Sequence, residues 1–260
     1  MATKISAVSY LNTKPFLYGL EHADMLHQIQ VSLDTPSEAA DKLLVNTVDI
    51  SLVPVAVIPQ LENPKIISPY CIGADGKVAT VALFSNVALE EIQTVYLDYQ
   101  SRTSVQLARV LFREYWKREV EFKQAYPGYE SELTETTAGI IIGDRAIHFL
   151  EKYTFVYDLA ETWKNFTGLP FVFAVWLSKN SQPADFIQSF NTALQYGLDH
   201  RADVIQKNSS LNNSRFSVET YLIQNIQYNL DDGKKKALMQ FLGYMCADDR
   251  CTIPRLEFIY

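Results

Sequence analysis

Short apolar runs with the two-residue spacing of strands alternate along this chain with stretches that carry the 3.6-residue spacing of amphipathic helices. Residues 4 to 10 (KISAVSY) read as a first strand. Pro15 suits the start of a helix, and the residue before a proline resists one. A helix is therefore expected from Pro15 to Gly19 or His22, with Asn12 and Thr13 held in the turn before it. Residues 29 to 33 predict a second strand. Thr35-Pro36-Ser37-Glu38 then reads as a capping box, opening a helix over Ala39 to Val45. Residues 48 to 53 form an apolar strand with one hydroxyl, Ser51, and Pro54 to Ile58 open a short helix.

Residues 66 to 84 read as two strands around the turn Gly73-Ala74-Asp75-Gly76. A brief helical turn at Leu89 to Ile92 and a strand at 94 to 99 lead into a long helix, Thr103 to Lys117. Its expected core stripe is Val105, Ala108, Leu111 and Phe112, extended by Tyr115. Residues 119 to 124 predict a strand, and 130 to 137 a polar helix or loop. The apolar run Gly139 to Ile142 ends in Gly143, and Asp144-Arg145-Ala146 starts a helix. Strands at 154 to 157 and 170 to 178 enclose a helix at Glu161 to Phe166. From Pro183 to Asp249 the pattern is helical, with polar breaks near Asn208 to Asn213 and Asp231 to Gly233, and the tail 253 to 260 is expected to pack back on the body.

Strands that alternate with helices predict an α/β class with mainly parallel sheets. The chain enters and leaves the segment 96–174 by strands. That predicts two lobes joined by two crossings: 1–95 with 175–260, and 96–174.

With 260 residues, 48% of them hydrophobic, the chain can bury a large core. A net charge of −7 argues against nucleic acid and against an anionic membrane face. An anionic ligand would therefore have to be held by local geometry. The three cysteines, Cys71, Cys246 and Cys251, show no framework spacing. The close pair reads as incidental, and the set fits a reducing cytoplasm. No signal peptide and no span of about 18 apolar residues is visible.

The most informative stretch is residues 96 to 112, a buried strand that runs into a helix through Gln100-Ser101-Arg102-Thr103-Ser104. Hydroxyls and a guanidinium crowd a first helical turn, where backbone N–H groups lack partners and the dipole is positive. Such a turn can seat a carboxylate, and Arg102 could fork one bidentately. Similar polar starts recur at Asn12/Thr13, at Ser51 and at Gly143/Asp144. Each alone is also what a helix cap looks like. Together, at predicted strand ends, they point to one small polar anion in a cleft. The four histidines form no triad and no metal-ligand spacing. Glycine-rich nucleotide motifs are absent.

Five segments in order, VSYLNTKPF (8–16), DISLVPVA (49–56), LDYQSRTSVQLARVL (97–111), IIGDRA (141–146) and DLAETWKNFTGLPFVFAVW (158–176), together resemble the chorismate dehydratases of the futalosine route to menaquinone. The resemblance implies a periplasmic-binding-protein type II fold, with two lobes closing on a ligand. It implies conversion of chorismate, a small dicarboxylate, to 3-[(1-carboxyvinyl)oxy]benzoate and water, with no metal or organic cofactor. It further implies that the substrate's own enolpyruvyl carboxylate takes the proton, in keeping with the lack of a histidine motif. By the match to SYLNTKP, Asn12 is the first candidate for a catalytic donor, and Ser85 in ALFSN the second. Thr13, Ser51, Ser101, Arg102, Thr103, Ser104, Gly143 and Asp144 are substrate-binding candidates. The acidic, tyrosine-rich segment 121–136 and the ending CTIPRLEFIY are not anticipated by the resemblance.

Two other readings compete. A dihydroxynaphthoate synthase-like enzyme of the same pathway would be expected to use a histidine base, and His148 is the one near a motif. A non-enzymatic small-anion-binding protein would bind the ligand without turning it over.

Overall fold

The computed structural model describes residues 2–23, 25–247 and 251–260. The strands gather into two sheets. The first takes β1 (Thr3–Val8), β2 (Ile29–Asp34), β3 (Ile50–Pro54), β4 (Lys65–Ala74), β10 (Phe171–Ser178), β11 (Gln227–Asn229) and β12 (Glu257–Phe258), in the order β11-β4-β10-β3-β1-β2 with β12 beside β4. The second takes β5 (Val81–Ser85), β6 (Thr94–Leu97), β7 (Glu121–Gln124), β8 (Thr137–Ile142) and β9 (Phe155–Asp158), in the order β7-β6-β8-β5-β9. The helices are α1 (Lys14–His22), α2 (Pro36–Leu44), α3 (Thr103–Val110), α4 (Asp144–Phe149), α5 (Leu159–Thr167), α6 (Ala184–Asp199), α7 (Arg201–Lys207), α8 (Val218–Thr220) and α9 (Asp232–Met245). One contiguous apolar core runs through both sheets and the helices that cover them.

The α/β class and the two-sheet arrangement match the expectation, with local corrections. The sheets are mixed, not mainly parallel: β1 runs parallel to β2 and β3, whereas β10 runs antiparallel to β3 and β4, and β5 antiparallel to β8 and β9. Strand β10 re-enters the first sheet from the second and so meets its neighbours head to tail. Strands β4 and β5 do not form a hairpin. Each joins a different sheet, and the Gly76 turn is a crossing. Sheet membership therefore moves the expected boundaries: residues 81–95 go with the second sheet and Phe171 to Ala174 with the first.

Thr35 and Glu38 form the capping box, with Thr35 N–H donating to Glu38 Oε2 at 2.8 Å. The stripe of α3 is displaced by one turn position: Leu107 and Val110 are buried with Ala108, Leu111 and Phe112, while Val105 is half-buried and Tyr115 exposed. The last third contains a strand, β11, that the helical pattern hid, and Asp249 lies outside the described residues. The tail does pack back, through β12 on β4. Cys246 and Cys251 are joined in a disulfide, with Cα atoms 5.0 Å apart. That corrects the incidental reading and removes the cysteine argument for a reducing compartment. Among the described residues no helix is long and apolar enough to cross a membrane.

The crossing into the second sheet is held by Asp158, which caps α5 and accepts from Val78 N–H at 3.0 Å and Ala79 N–H at 2.7 Å. Ala79 adopts a φ of 68°, a conformation that costs a residue with a Cβ about 1 kcal/mol and persists because the carboxylate pins it. Burial pushes the Asp158 carboxyl up to about 6, against the backbone donors that favour its charge. The folded protein thus holds this proton more tightly than the unfolded chain. The contribution to stability is full below about pH 4, falls as pH rises and is gone above about pH 6. Across that window the wild type is expected to lose on the order of 2–3 kcal/mol relative to Asp158→Asn, which carries no titrating proton there. Urea unfolding of both proteins from about pH 4 to pH 7 measures it, and parallel pH profiles would refute it.

Candidate active site

A cavity of ≈ 60 Å³ lies between the two sheets. It sits at the carboxyl ends of β1, β3, β4 and β8, where ligands of open α/β sheets bind. It has room for on the order of five waters. Its walls are largely apolar, with Ile72, Val81 and Phe173 among them. Its polar lining comes from Tyr10, Asn12, Thr13, Ser101, Thr103 and Ser104.

The Asn12 loop follows β1 directly. Residues Leu11–Thr13 form a tight turn, and Thr13 N–H donates to Tyr10 O at 3.0 Å. Helix α1 behind it is seated by close contact with α6. A Cβ on Gly19 would lie 1.9 Å from Ala193 O, and one on Gly197 would lie 1.8 Å from Pro15 O, so only glycines allow the backbones to approach this far. The loop is tied from three directions, twice through its backbone and once through the Tyr10 side chain. Leu11 N–H donates to Asp144 at 2.9 Å, Tyr228 O–H donates to Asn12 O at 3.0 Å, and the Tyr10 hydroxyl donates to Gln100 Oε1. The Asn12 side chain is left with Thr13, whose hydroxyl donates to Asn12 Oδ1 at 3.2 Å, and with the cavity.

The opposite wall is the start of α3. Ser101 Oγ accepts from Ser104 N–H at 3.1 Å, so it caps the helix while also facing the cavity. Thr103 is buried; its hydroxyl donates to Phe173 O at 3.0 Å and accepts from Ala56 N–H at 3.3 Å, which fastens α3 to the first sheet. Gly143 has a φ of 64°, and a Cβ there would lie 2.6 Å from the Tyr10 ring. The ring comes this close to the backbone just after β8 because residue 143 has no side chain.

The structure therefore brings Asn12, Thr13, Ser101, Thr103, Ser104 and Gly143 to one cavity. Asp144 stands beside it, its carboxylate taken by Leu11 N–H. Burial raises the Asp144 carboxyl, opposed by that N–H and by the charges of Lys14 and His148. Three candidates are elsewhere. Ser51 is buried and donates to Ala39 O at 3.0 Å, a lock between β3 and α2. Ser85 accepts from Val87 N–H at 3.1 Å and pairs with Ala138 and Phe155 at the far end of β5. Arg102 turns outward to Asp41, 2.5 Å away and largely exposed, and so does not fork a ligand in the cavity. Lys14, close to Asn12 in sequence, bonds Asn208.

None of the four histidines lines the cavity. His22 stacks on Tyr18 with ring centres 4.0 Å apart, His200 stacks on Tyr196 at 3.9 Å, and His27 and His148 are exposed.

Other residues of the site escaped the sequence. Tyr10, Asp98 and Arg145 stand inside the quoted motifs, next to residues that were chosen, and motif membership was the available signal. Tyr228, which holds the Asn12 carbonyl, comes from the last third, where nothing local marks it. Asp98 is fully buried and accepts from Gln100 N–H at 2.8 Å and from Arg145 at 2.5 Å. It also accepts from the N–H of Ile142, which lines the cavity. Burial raises Tyr10, with the Asp98 charge adding to the effect, so its phenol stays protonated.

A sequence profile described as menaquinone biosynthesis matches residues 3–247. The chain belongs to the menaquinone biosynthesis family. Within this family likeness, a curated relative is the chorismate dehydratase of Thermus thermophilus, 28% identical over 264 residues, which cover 89% of this chain and 91% of that protein. Solved structures show the fold. Protein AF1704 of Archaeoglobus fulgidus superposes with a TM-score of 0.75 at 11% identity, over 95% of this chain and 97% of its own. CA3427 of Candida albicans, described as having the generic periplasmic binding protein fold, gives 0.64 at 14% identity, over 97% and 92%. The aliphatic sulphonate binding protein SsuA of Escherichia coli gives 0.60 at 14% identity, over 98% and 94%. This menaquinone biosynthesis protein thus has the periplasmic-binding-protein fold that the resemblance implied.

Proposed function

We propose that this protein is a chorismate dehydratase, a hydro-lyase that converts chorismate to 3-[(1-carboxyvinyl)oxy]benzoate and water. The observation that carries the reading is the cavity itself. It lies between the two sheets, has apolar walls suited to a ring, and carries neutral donors from Asn12, Thr13, Ser101 and Ser104 in its lining. The family match and the Thermus thermophilus relative support the same substrate class.

The reaction breaks the bond from the ring to its hydroxyl and removes the neighbouring ring proton, leaving an aromatic ring. Aromatisation supplies the driving force. The protein then has to fix the conformer and assist the departing hydroxyl. Asn12 donates to that hydroxyl. Thr13, Ser101, Ser104 and the first turn of α3 bind the carboxylates. The substrate's enolpyruvyl carboxylate accepts the ring proton, which leaves the protein no base to supply. The reading includes a cytoplasmic enzyme that needs no metal or organic cofactor. The cavity is smaller than this substrate, so the lobes open about the two crossings to admit it. Opening would strain contacts that link the two sides, among them Leu11 with Asp144, Tyr10 with Gln100, and Ser37 N–H with Gln100 O at 3.2 Å.

Incubating the purified protein with chorismate tests this. A new benzenoid ultraviolet band, with a product lighter by one water, is the expected result. Binding without product would replace the reading with a small-anion-binding protein. The histidine-base alternative has little to stand on, since His148 is exposed and outside the cavity.

A further inference from the structure

We propose that Tyr10 is a positioning residue for the reaction: its hydroxyl, bonded to Gln100 just before α3, latches the Asn12 loop to the start of that helix and so governs how fast ligands enter and leave the cavity. The latch deepens the dehydratase reading and rests on it for the identity of the ligand.

Tyr10 stands two residues before Asn12 and opens the tight turn that carries it, so whatever holds Tyr10 holds the loop. Its hydroxyl donates to Gln100 Oε1, a contact between residues 90 positions apart in the chain. Gln100 is a firm acceptor. Its backbone N–H donates to the buried Asp98 carboxylate at 2.8 Å, and its carbonyl accepts Ser37 N–H at 3.2 Å. Its side-chain Nε2 donates to the Tyr99 hydroxyl at 3.4 Å, which directs the amide nitrogen there and leaves the oxygen for Tyr10. The next residue, Ser101, caps α3 and lines the cavity. One hydroxyl therefore couples the segment that carries Asn12 to the segment that carries Ser101 and Ser104.

Gly143 gives the ring its seat. A Cβ there would lie 2.6 to 2.7 Å from three atoms of the Tyr10 ring, and the φ of 64° is itself one that favours glycine. Two further ties join the same sides, Leu11 N–H to Asp144 and Ser37 N–H to Gln100 O. Both use backbone N–H groups, so they part only when the chain itself moves. The Tyr10–Gln100 bond runs from side chain to side chain and parts by a rotation of the Tyr10 ring off Gly143. It is the tie that can open first and re-form last. The bond is made in the ligand-free protein and re-forms over a bound ligand, so it slows passage in both directions and leaves affinity nearly alone.

The test is Tyr10→Phe, which keeps the ring on its seat and removes the hydroxyl. In the ligand-free protein, hydrogen exchange of the Leu11 and Ser37 amides is expected to quicken about 5- to 10-fold, the scale of one neutral hydrogen bond, while amides of α6 change less than about 2-fold. Stopped-flow binding of 3-[(1-carboxyvinyl)oxy]benzoate is expected to show entry and release both faster by about 5- to 10-fold, with Kd moved less than about 2-fold. Gln100→Met removes the acceptor and is expected to match these changes, and the double variant to add less than about 2-fold to either. Gln100→Met also stands in if Tyr10→Phe folds poorly. Unchanged exchange at Leu11 and Ser37, or an equal rise across both sheets, would overturn the latch. So would a Kd that rises as far as the release rate with entry unchanged, which marks an ordinary contact of the bound state. A wild type that neither converts chorismate nor binds the product would sink the dehydratase reading separately, and the exchange of the ligand-free protein would still decide the latch.

Discussion

Asn12→Ala is expected to lower turnover of chorismate about 10²-fold, the loss seen when one positioned donor is removed from a closed site. The size follows from where the residue sits. The residue lines a cavity whose walls are largely apolar, so a hydrogen bond made there as charge develops on the leaving hydroxyl is less diluted by competing solvent than one made in water. The fold is expected to survive. The backbone carbonyl keeps its bond from Tyr228, the Leu11 N–H keeps Asp144, and the side chain gives up only neutral partners. A loss of about 1 kcal/mol corresponds to a fall in Tm of a few degrees for a chain of this size. Steady-state kinetics with circular dichroism melts measures both. A variant that turns over like the wild type removes Asn12 from the mechanism, while one that loses both activity and its cooperative melt points to a scaffold residue instead.

Local rules carried far in this chain where the chemistry is local. The capping box at Thr35 and Glu38, the apolar run into Gly143 and the polar start of α3 each depend on neighbours a few residues away, and each is in place. The misses share a different cause. Ser85 ends a strand, as Ser101 nearly does, but β5 runs antiparallel to β8, so its carboxyl end lies at the far side of the sheet from the cavity. Strand direction is set by where the chain enters the sheet, which no residue pattern encodes. The turn at Gly73 to Gly76 has chemistry that suits a hairpin and a crossing equally. Arg102 is long enough to choose between the cavity and Asp41, and the nearer carboxylate wins. Tyr228 meets Asn12 across a separation of 216 residues, and helix pattern alone cannot place such a contact.

Asp98 supports the largest expected change in stability. It is fully buried at the end of β6 and organises that part of the second sheet. Its oxygens accept from Arg145 at 2.7 and 2.5 Å, from Gln100 N–H at 2.8 Å, from Ile142 N–H at 3.2 Å and from Tyr129 O–H at 3.3 Å. Arg145 is also paired with Glu130 and lies over the Tyr99 ring, 5.0 Å from its centre. Burial raises the Asp98 carboxyl, while Arg145 and the backbone donors pull it down. Asp98→Ala would orphan two backbone N–H groups and leave the guanidinium short of one partner inside the protein, at a cost of about 3–5 kcal/mol. Asp98→Asn is expected to fall in the same direction, because its NH₂ group must face N–H donors. Against a total stability of roughly 5–15 kcal/mol, the Tm of Asp98→Ala should drop by about 10 °C. The exposed pair of Arg102 and Asp41 gives the contrast, since breaking it should cost less than about 1 kcal/mol. The damage from Asp98 should also reach the cavity, because Ile142 lines it and Gln100 accepts from Tyr10. Activity measured well below the melting range should therefore fall as well. A variant as stable as the wild type would mean that the two acids and one arginine do not act as a unit, and that Glu130 alone suffices to neutralise Arg145.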